Sequence, residues 1–392
     1  MENDVRIGVV GLGNMGSAHT ETILQGKVNG LKLTAVCDIR PNRLEWARSQ
    51  CEALHCYEDY NRMLHSGEID AVVIATPHYL HPVIAQAAFA AGLHVLTEKP
   101  AGVQVSQVRK MNEAAKQSGK VFGIMWNQRT TPIFQRAREI VQGGELGEPK
   151  RLVWTVTNWY RSQAYYDSGN WRATWGGEGG GVLLNQAPHN LDLWQWIFGM
   201  PARIRAFCTN GKYHHIEVED DATIYAEYAN GATAVFITST GEYPGSNRLE
   251  ISGDRGKLLL ENGVLHFWQL ATPERTACFT ETEGFPHWAL KEEIFEPKDD
   301  GPAHRGILQN FADAIRLGTP LLAPGMEGIR ELTLSNAAYL SSWTNDWVTL
   351  PVDDAQFDAE LQQRIDASQG KAPGHRETDP SGRYSERWSV RW

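Results

Sequence analysis

Three glycines near the start carry the first chemistry. Gly11-Leu12-Gly13-Asn14-Met15-Gly16 follows an apolar run and precedes a helical pattern. In that setting Gly11 permits a tight turn, Gly13 lets the backbone approach a pyrophosphate, and Gly16 allows close packing of helix on strand. The helix start, through Asn14 and Met15, then offers N–H groups to phosphate oxygens. Twenty-two residues beyond Gly16, Asp38 closes a second apolar run. A carboxylate there accepts bonds from ribose hydroxyls and repels a 2′-phosphate, which favours NAD over NADP. Arg40 is the counter-signal, a cation able to turn toward a 2′-phosphate.

Two more segments fall where an open α/β sheet would hold a ligand, at the carboxyl ends of expected strands. Thr76-Pro77-His78-Tyr79-Leu80-His81 follows the third apolar run and Glu98-Lys99-Pro100 the fourth. Thr76, Pro77, His81, Glu98 and Lys99 therefore join the candidates for cofactor contact. Pro82 marks a helix start, so His78 and His81 have an equally good local structural reading. Far downstream, a glycine-rich segment runs Gly179-Gly180-Gly181 through Asn185 to His189 and Asp192.

The elements needed to position these residues are legible in the rhythm of the chain. Continuous apolar runs at 5–10, 31–37, 71–75, 94–97 and 121–125 alternate with helical patterns at 17–25, 43–51, 82–91 and 105–118. That alternation predicts parallel βαβ units with helices on both sheet faces. After a helix at 132–142 the pattern changes to strands at 151–157, 204–208, 222–228, 233–238, 248–252, 257–261 and 264–268. Asn230-Gly231, Asp254-Arg255-Gly256 and Asn262-Gly263 supply hairpin turns between them. Helices are predicted at 303–317, 325–343 and 355–368. The predicted organisation is a Rossmann domain over 1–128, an α+β domain over 129–351 and an extension over 352–392.

Composition narrows the classes. The chain has 392 residues, 42% hydrophobic and 21% charged, with a formal charge of −10 and scattered basic residues. This argues against a nucleic-acid partner. No apolar stretch reaches a membrane span and no leader pattern is visible, so a cytoplasmic protein is expected. Five cysteines without metal-site spacing suggest reduced thiols and no metal. Fourteen tryptophans, many between Trp126 and Trp196, fit either a tryptophan-rich core or a sugar site with aromatic walls.

In order and spacing, the fingerprint, the Glu-Lys-Pro step and the glycine-rich segment with its histidine resemble the glucose–fructose oxidoreductase/inositol dehydrogenase/rhizopine catabolism family (Gfo/Idh/MocA). The resemblance covers about residues 5 to 350 and is closest to members acting on levoglucosan or on glycosides at ring carbon 3. It implies an N-terminal Rossmann domain with NAD and a C-terminal open-faced, mostly antiparallel sheet that assembles homodimers or homotetramers. It implies Lys99 as the residue that orients and polarises the reacting hydroxyl, and His189 as the one that exchanges its proton. Asp192 matches the acidic residue one turn on. Asn185 departs from the aspartate that many members carry, and an amide cannot exchange protons.

The implied chemistry is physically coherent. Removing a hydride from an alcohol carbon requires loss of the hydroxyl proton, and histidine has the side chain whose ordinary pKa suits that task. A lysine beside a cationic nicotinamide favours an alkoxide-like oxygen. Substrate contacts are expected from Trp126, Asn127, Arg129, Tyr160, Arg161, Trp171, Arg172, Asn185 and Asp192. His214-His215 reads as a solvated hairpin. The leading function is an NAD-dependent sugar or polyol dehydrogenase. The alternatives are an NAD-dependent glycosidase working through transient oxidation of carbon 3 and a non-catalytic NAD sensor. The terminal segment after Gly370, with Tyr384, Trp388, Trp392, Arg383, Arg387 and Arg391, is expected to form an ordered arm.

Overall fold

The computed structural model describes residues 4–370, so the anticipated arm beyond Gly370 lies outside the described residues. The unbroken apolar runs become β1 (Val5–Val10), β2 (Leu31–Cys37), β3 (His55–Tyr57), β4 (Ala71–Ile74), β5 (His94–Thr97) and β6 (Phe122–Ile124). They pair in the order β3-β2-β1-β4-β5-β6, all parallel. The order reverses between β1 and β4, which opens a ligand crevice at their carboxyl ends. The connecting helices are α1 (Asn14–Leu24), α2 (Pro41–Gln50), α3 (Tyr60–Leu64), α4 (Leu80–Ala90) and α5 (Val105–Ser118). β3 and α3 escaped the sequence reading because so few residues complete no recognisable period. α1 begins at Asn14, inside the fingerprint, rather than at residue 17.

The rest of the chain builds a second sheet from β7 (Pro149–Val156), β8 (Arg203–Asn210), β9 (Glu219–Glu227), β10 (Thr233–Ser239), β11 (Asn247–Gly253), β12 (Gly256–Glu261), β13 (Val264–Leu270), β14 (Leu290–Phe295) and β15 (Val348–Thr349). Its order is β14-β13-β12-β11-β7-β10-β9-β8-β15. Every neighbour pair is antiparallel except β7 and β10, which run parallel. Burial alternates along these strands, as in β9, so one face meets the core. The Asn262-Gly263 turn carries positive φ at both residues, the geometry that a two-residue hairpin requires.

Helices α6 (Pro132–Gln142), α7 (Gln163–Tyr166), α8 (Pro188–Phe198), α9 (Glu274–Thr280), α10 (Ala303–Leu317), α11 (Gly328–Thr344) and α12 (Asp354–Ala367) complete this part. α8 is buried on all sides, which makes it the central helix of the second part. α11 packs on α8 and β8 and also on α5, so it joins the two sheets' layers. Trp126, Trp154, Trp159 and Trp194 are fully buried. Trp175 packs edge-on against Tyr339 and Trp343. Much of the tryptophan surplus is therefore core. No helix among the described residues is long and apolar enough to cross a membrane.

Candidate active site

The fingerprint folds as its glycines require. Gly11 has φ +87°, and a Cβ there would lie 2.6 Å from the Ala75 carbonyl. A Cβ on Gly16 would strike the Gly11 carbonyl. Gly13 is different: a Cβ would meet nothing within 4 Å, so the space above this turn is open to a phosphate. Gly13 is also the N-cap of α1, whose first-turn N–H groups have no intrahelical acceptor. Asp38 accepts from Leu12 N at 2.7 Å through one oxygen and from Arg40 N at 2.9 Å through the other. This carboxylate ties the glycine loop to the end of β2. Ile39 beside it is 85% exposed and gives an apolar surface for an adenine face. Arg43, which sequence reading did not single out, donates to the Leu12 carbonyl at 2.6 Å. These residues fit a bound NAD.

Lys99 leaves the end of β5 and crosses to the other half of the molecule, where Nζ donates to the Asn185 carbonyl at 2.8 Å. Burial pulls its pKa below the usual lysine value, opposed by Glu98 and Glu331. His189 stands one residue into α8, and its Nδ1 is buried without a hydrogen-bond partner among the described residues. Burial, helped by the charge of Lys99, holds its pKa well below 6.5, so the ring is a neutral base. Trp126 sits edge-on to it at 5.6 Å, and Trp126 Nε1 and Asn127 Oδ1 are likewise buried and unpartnered. Buried polar atoms without partners are uncommon in folded proteins, and three of them fall together on neighbouring residues here.

The loop before α8 is held from below. Glu219 accepts from Gly181 N and Leu183 N, both at 2.9 Å, and from the Tyr339 hydroxyl at 2.8 Å. A Cβ at Gly181 would collide with the Glu219 carbonyl, which explains the glycine. Burial pushes the Glu219 carboxyl up to about 7 against those donors. On the far wall, Trp171 lies 5.6 Å from His78 and beneath Arg172, whose guanidinium is 4.5 Å from its ring. Arg161 and Arg172 both lie over the Tyr165 ring.

Several expectations need correction. Arg129 and Asp192 do not face a substrate: both side chains are 1% exposed and form a two-bond ion pair at 2.8 and 2.6 Å. A third bond from Arg129 reaches Glu327 at 2.6 Å, so the guanidinium ties the end of β6 to α8 and to the start of α11. His81 is a structural residue, because its two ring nitrogens lie 2.7 Å from the carbonyls of Thr76 and Pro100. Glu98 is committed within the protein: it pairs with His19 of α1 at 2.7 Å, while its other oxygen accepts from Lys99 N. Burial alone would raise the Glu98 carboxyl, but His19 draws it down to about 2. Tyr160 stands apart from the cluster, half exposed against Tyr243. His214 is not solvated: it lies between Asp220 and the Arg161 carbonyl, each at 2.8 Å.

Sequence reading missed His19, Glu178, Glu331 and His304, whose ring lies 5.9 Å from that of His19. Glu178 had a signal, as the one charge in a glycine run. The others come from distant helices, and no spacing announces them.

Residues 5–125 match the oxidoreductase family with an NAD-binding Rossmann fold, and residues 134–259 match the GFO/IDH/MocA C-terminal domain. The chain belongs to the GFO/IDH/MocA oxidoreductase family. As in that family's NAD-binding domain, the cofactor is NAD. The chain is 24% identical to the myo-inositol 2-dehydrogenase of Thermotoga maritima, over 85% of this chain and 95% of that protein. It is 26% identical to the scyllo-inositol 2-dehydrogenase (NAD(+)) of Bacillus subtilis, over 66% of this chain and 75% of that protein. Among solved structures, the WlbA dehydrogenase of Bordetella pertussis, in complex with NADH and UDP-GlcNAcA, superposes with a TM-score of 0.75. It is 26% identical, with 90% of this chain and 100% of that chain covered. A levoglucosan dehydrogenase with NADH shares the fold at a TM-score of 0.74 and 19% identity, with 89% of this chain and 100% of that chain covered.

Proposed function

We propose that this chain is an NAD-dependent dehydrogenase acting on a ring hydroxyl of a sugar, glycoside or cyclic polyol, at carbon 3 where the ring is a pyranose. The observation that carries the reading is the meeting of Lys99, from the cofactor sheet, with Asn185 and His189, from the second half, around a buried unpartnered ring nitrogen. The inositol dehydrogenases among the relatives, and the nucleotide-linked sugar bound to WlbA, support the substrate class. Position 3 rests on the likeness to glycoside 3-dehydrogenases alone. The reading takes the assembled enzyme to be a homodimer or homotetramer working in the cytoplasm.

In this reading NAD supplies the hydride acceptor. Lys99 donates to the reacting hydroxyl oxygen and favours its alkoxide character. His189, neutral in its apolar setting, takes the hydroxyl proton. Asn185 holds a neighbouring hydroxyl without exchanging a proton. Trp126 covers one side of the histidine and keeps water from its ring.

The test is a panel of inositols, pyranoses, levoglucosan, aryl glycosides and nucleotide-linked sugars incubated with NAD, following NADH and released aglycone together. Stoichiometric NADH is the expected result. Aglycone without net NADH would move the reading to a glycosidase, and NAD binding with no turnover on any compound to a sensor.

A further inference from the structure

Glu178 is a buried carboxylate beside Asn185 that no step above uses. Its side chain is 2% exposed and lies in the glycine run before α8. Ala173 is held at φ +58° and Gly179 at φ +86° on either side of it. One oxygen accepts from Ala173 N at 2.6 Å and so closes the 173–178 turn. The other accepts from Asn185 Nδ2 and lies 3.7 Å from Arg172 Nη1. These three neighbours are all donors, which favours the ionised acid against its burial. Its own backbone carbonyl lies 3.1 Å from His78 Nδ1.

The consequence falls on Asn185. A carboxylate can only accept from an amide through the NH2 group, so Glu178 fixes which end of the Asn185 amide points where. The Nδ2 end is committed to Glu178, and Oδ1 is turned the other way. Asn185 also carries, on its backbone carbonyl, the Lys99 ammonium. The negative charge of Glu178 is thus one residue's reach from both the amide and the lysine, and it acts to raise the Lys99 pKa against burial. Burial lifts the Glu178 carboxyl above its ordinary range, opposed by Arg172, the Ala173 N–H and Asn185.

We propose that Glu178 is a positioning residue that works with Asn185 as a single unit: the carboxylate orients the amide so that Oδ1 accepts from a substrate hydroxyl, and supplies the counter-charge beside Lys99. One amide and one carboxyl in contact are required, whichever position holds which. This rests on the dehydrogenase reading above.

The test is a charge exchange. Glu178→Gln sets two amides side by side, and Asn185→Asp sets two buried carboxylates in contact. Each single variant should lose about tenfold in kcat, the scale of coupling expected for directly bonded neighbours. The double variant Glu178→Gln/Asn185→Asp restores one donor and one carboxylate and should recover to within about threefold of the parent. Glu178→Gln should also move the alkaline limb of the kcat/KM profile to lower pH, because Lys99 keeps Glu98 and Glu331 and the opposing Arg172 but loses Glu178. A purely structural role would leave that limb in place. Melting curves with NAD establish that each variant is folded. An active parent whose double variant is no better than the worse single variant, or whose Glu178→Gln profile is unshifted, overturns the unit alone. A parent with no turnover on any panel compound overturns the dehydrogenase reading and the unit with it.

Discussion

Lys99 Nζ donates to the Asn185 carbonyl at 2.8 Å, four residues before His189. The ammonium carried by the cofactor sheet is thereby seated on the loop that starts the central helix of the other half. Lys99→Ala and His189→Ala are each expected to lower kcat by about 10²-fold or more, the scale of general acid–base catalysis. Steady-state kinetics with the best panel substrate measures this. Near-native turnover in His189→Ala would remove the histidine from the role of base.

The pH profile follows from the two buried groups. His189 must be neutral to act, and burial holds its pKa well below 6.5, so the acid limb of kcat/KM should lie below that value. Lys99 must be charged, and its pKa is pulled below 10.5, so the alkaline limb should fall below 10.5. Bound NAD carries a positive nicotinamide and pulls the second limb lower still in the kcat profile. An acid limb above pH 7 would contradict the assignment.

Arg129→Ala should be among the most damaging single changes to stability. It strips the partner from Asp192, which is 1% exposed, and from Glu327. Breaking a buried pair from one side costs about 3–5 kcal/mol. Denaturant unfolding, read from the midpoint at constant slope, measures it. A loss under about 1 kcal/mol would show that the pair is not the clamp its geometry describes.

Asp38→Ala should narrow a preference for NAD over NADP that is expected to be about tenfold or more in the parent, or roughly 1.4 kcal/mol. Because Asp38 also accepts from Leu12 N, the variant should weaken NAD binding itself. Equal use of both cofactors by the parent would defeat the argument from charge.

The cofactor half was legible because its signals are local: glycines at fixed offsets, apolar runs, and an acid at a strand end. The second sheet was legible through its turn residues. β3 and β15, of three and two residues, carry no period and were invisible, whereas β6, equally short, showed inside its apolar run; the exposed, charge-rich β14 was missed as well. Within the site, Lys99 and His189 stood out by motif, and the structure brings both to one place. Arg129 and Asp192 were misassigned as substrate contacts because sequence does not distinguish a charge aimed at a ligand from one aimed at another charge. Glu331 lies with both oxygens unpartnered behind the site, delivered by a helix whose pattern reads as ordinary core.

The parallel pairing of β7 with β10 has a bearing on how the protein assembles. Two parallel neighbours cannot be joined by a tight turn, and need a long connection that leaves the sheet and returns. Here that connection is the chain between Val156 and Thr233, which holds the Glu178–Asn185 loop, α8 with His189, and the β8–β9 hairpin. The segment that carries the proposed site residues is the crossover. The β7–β10 pairing is therefore a contact between segments far apart in sequence, of the kind that raises contact order and slows folding. One excursion of the chain thus supplies both the strands that complete this part of the sheet and the residues proposed for the site.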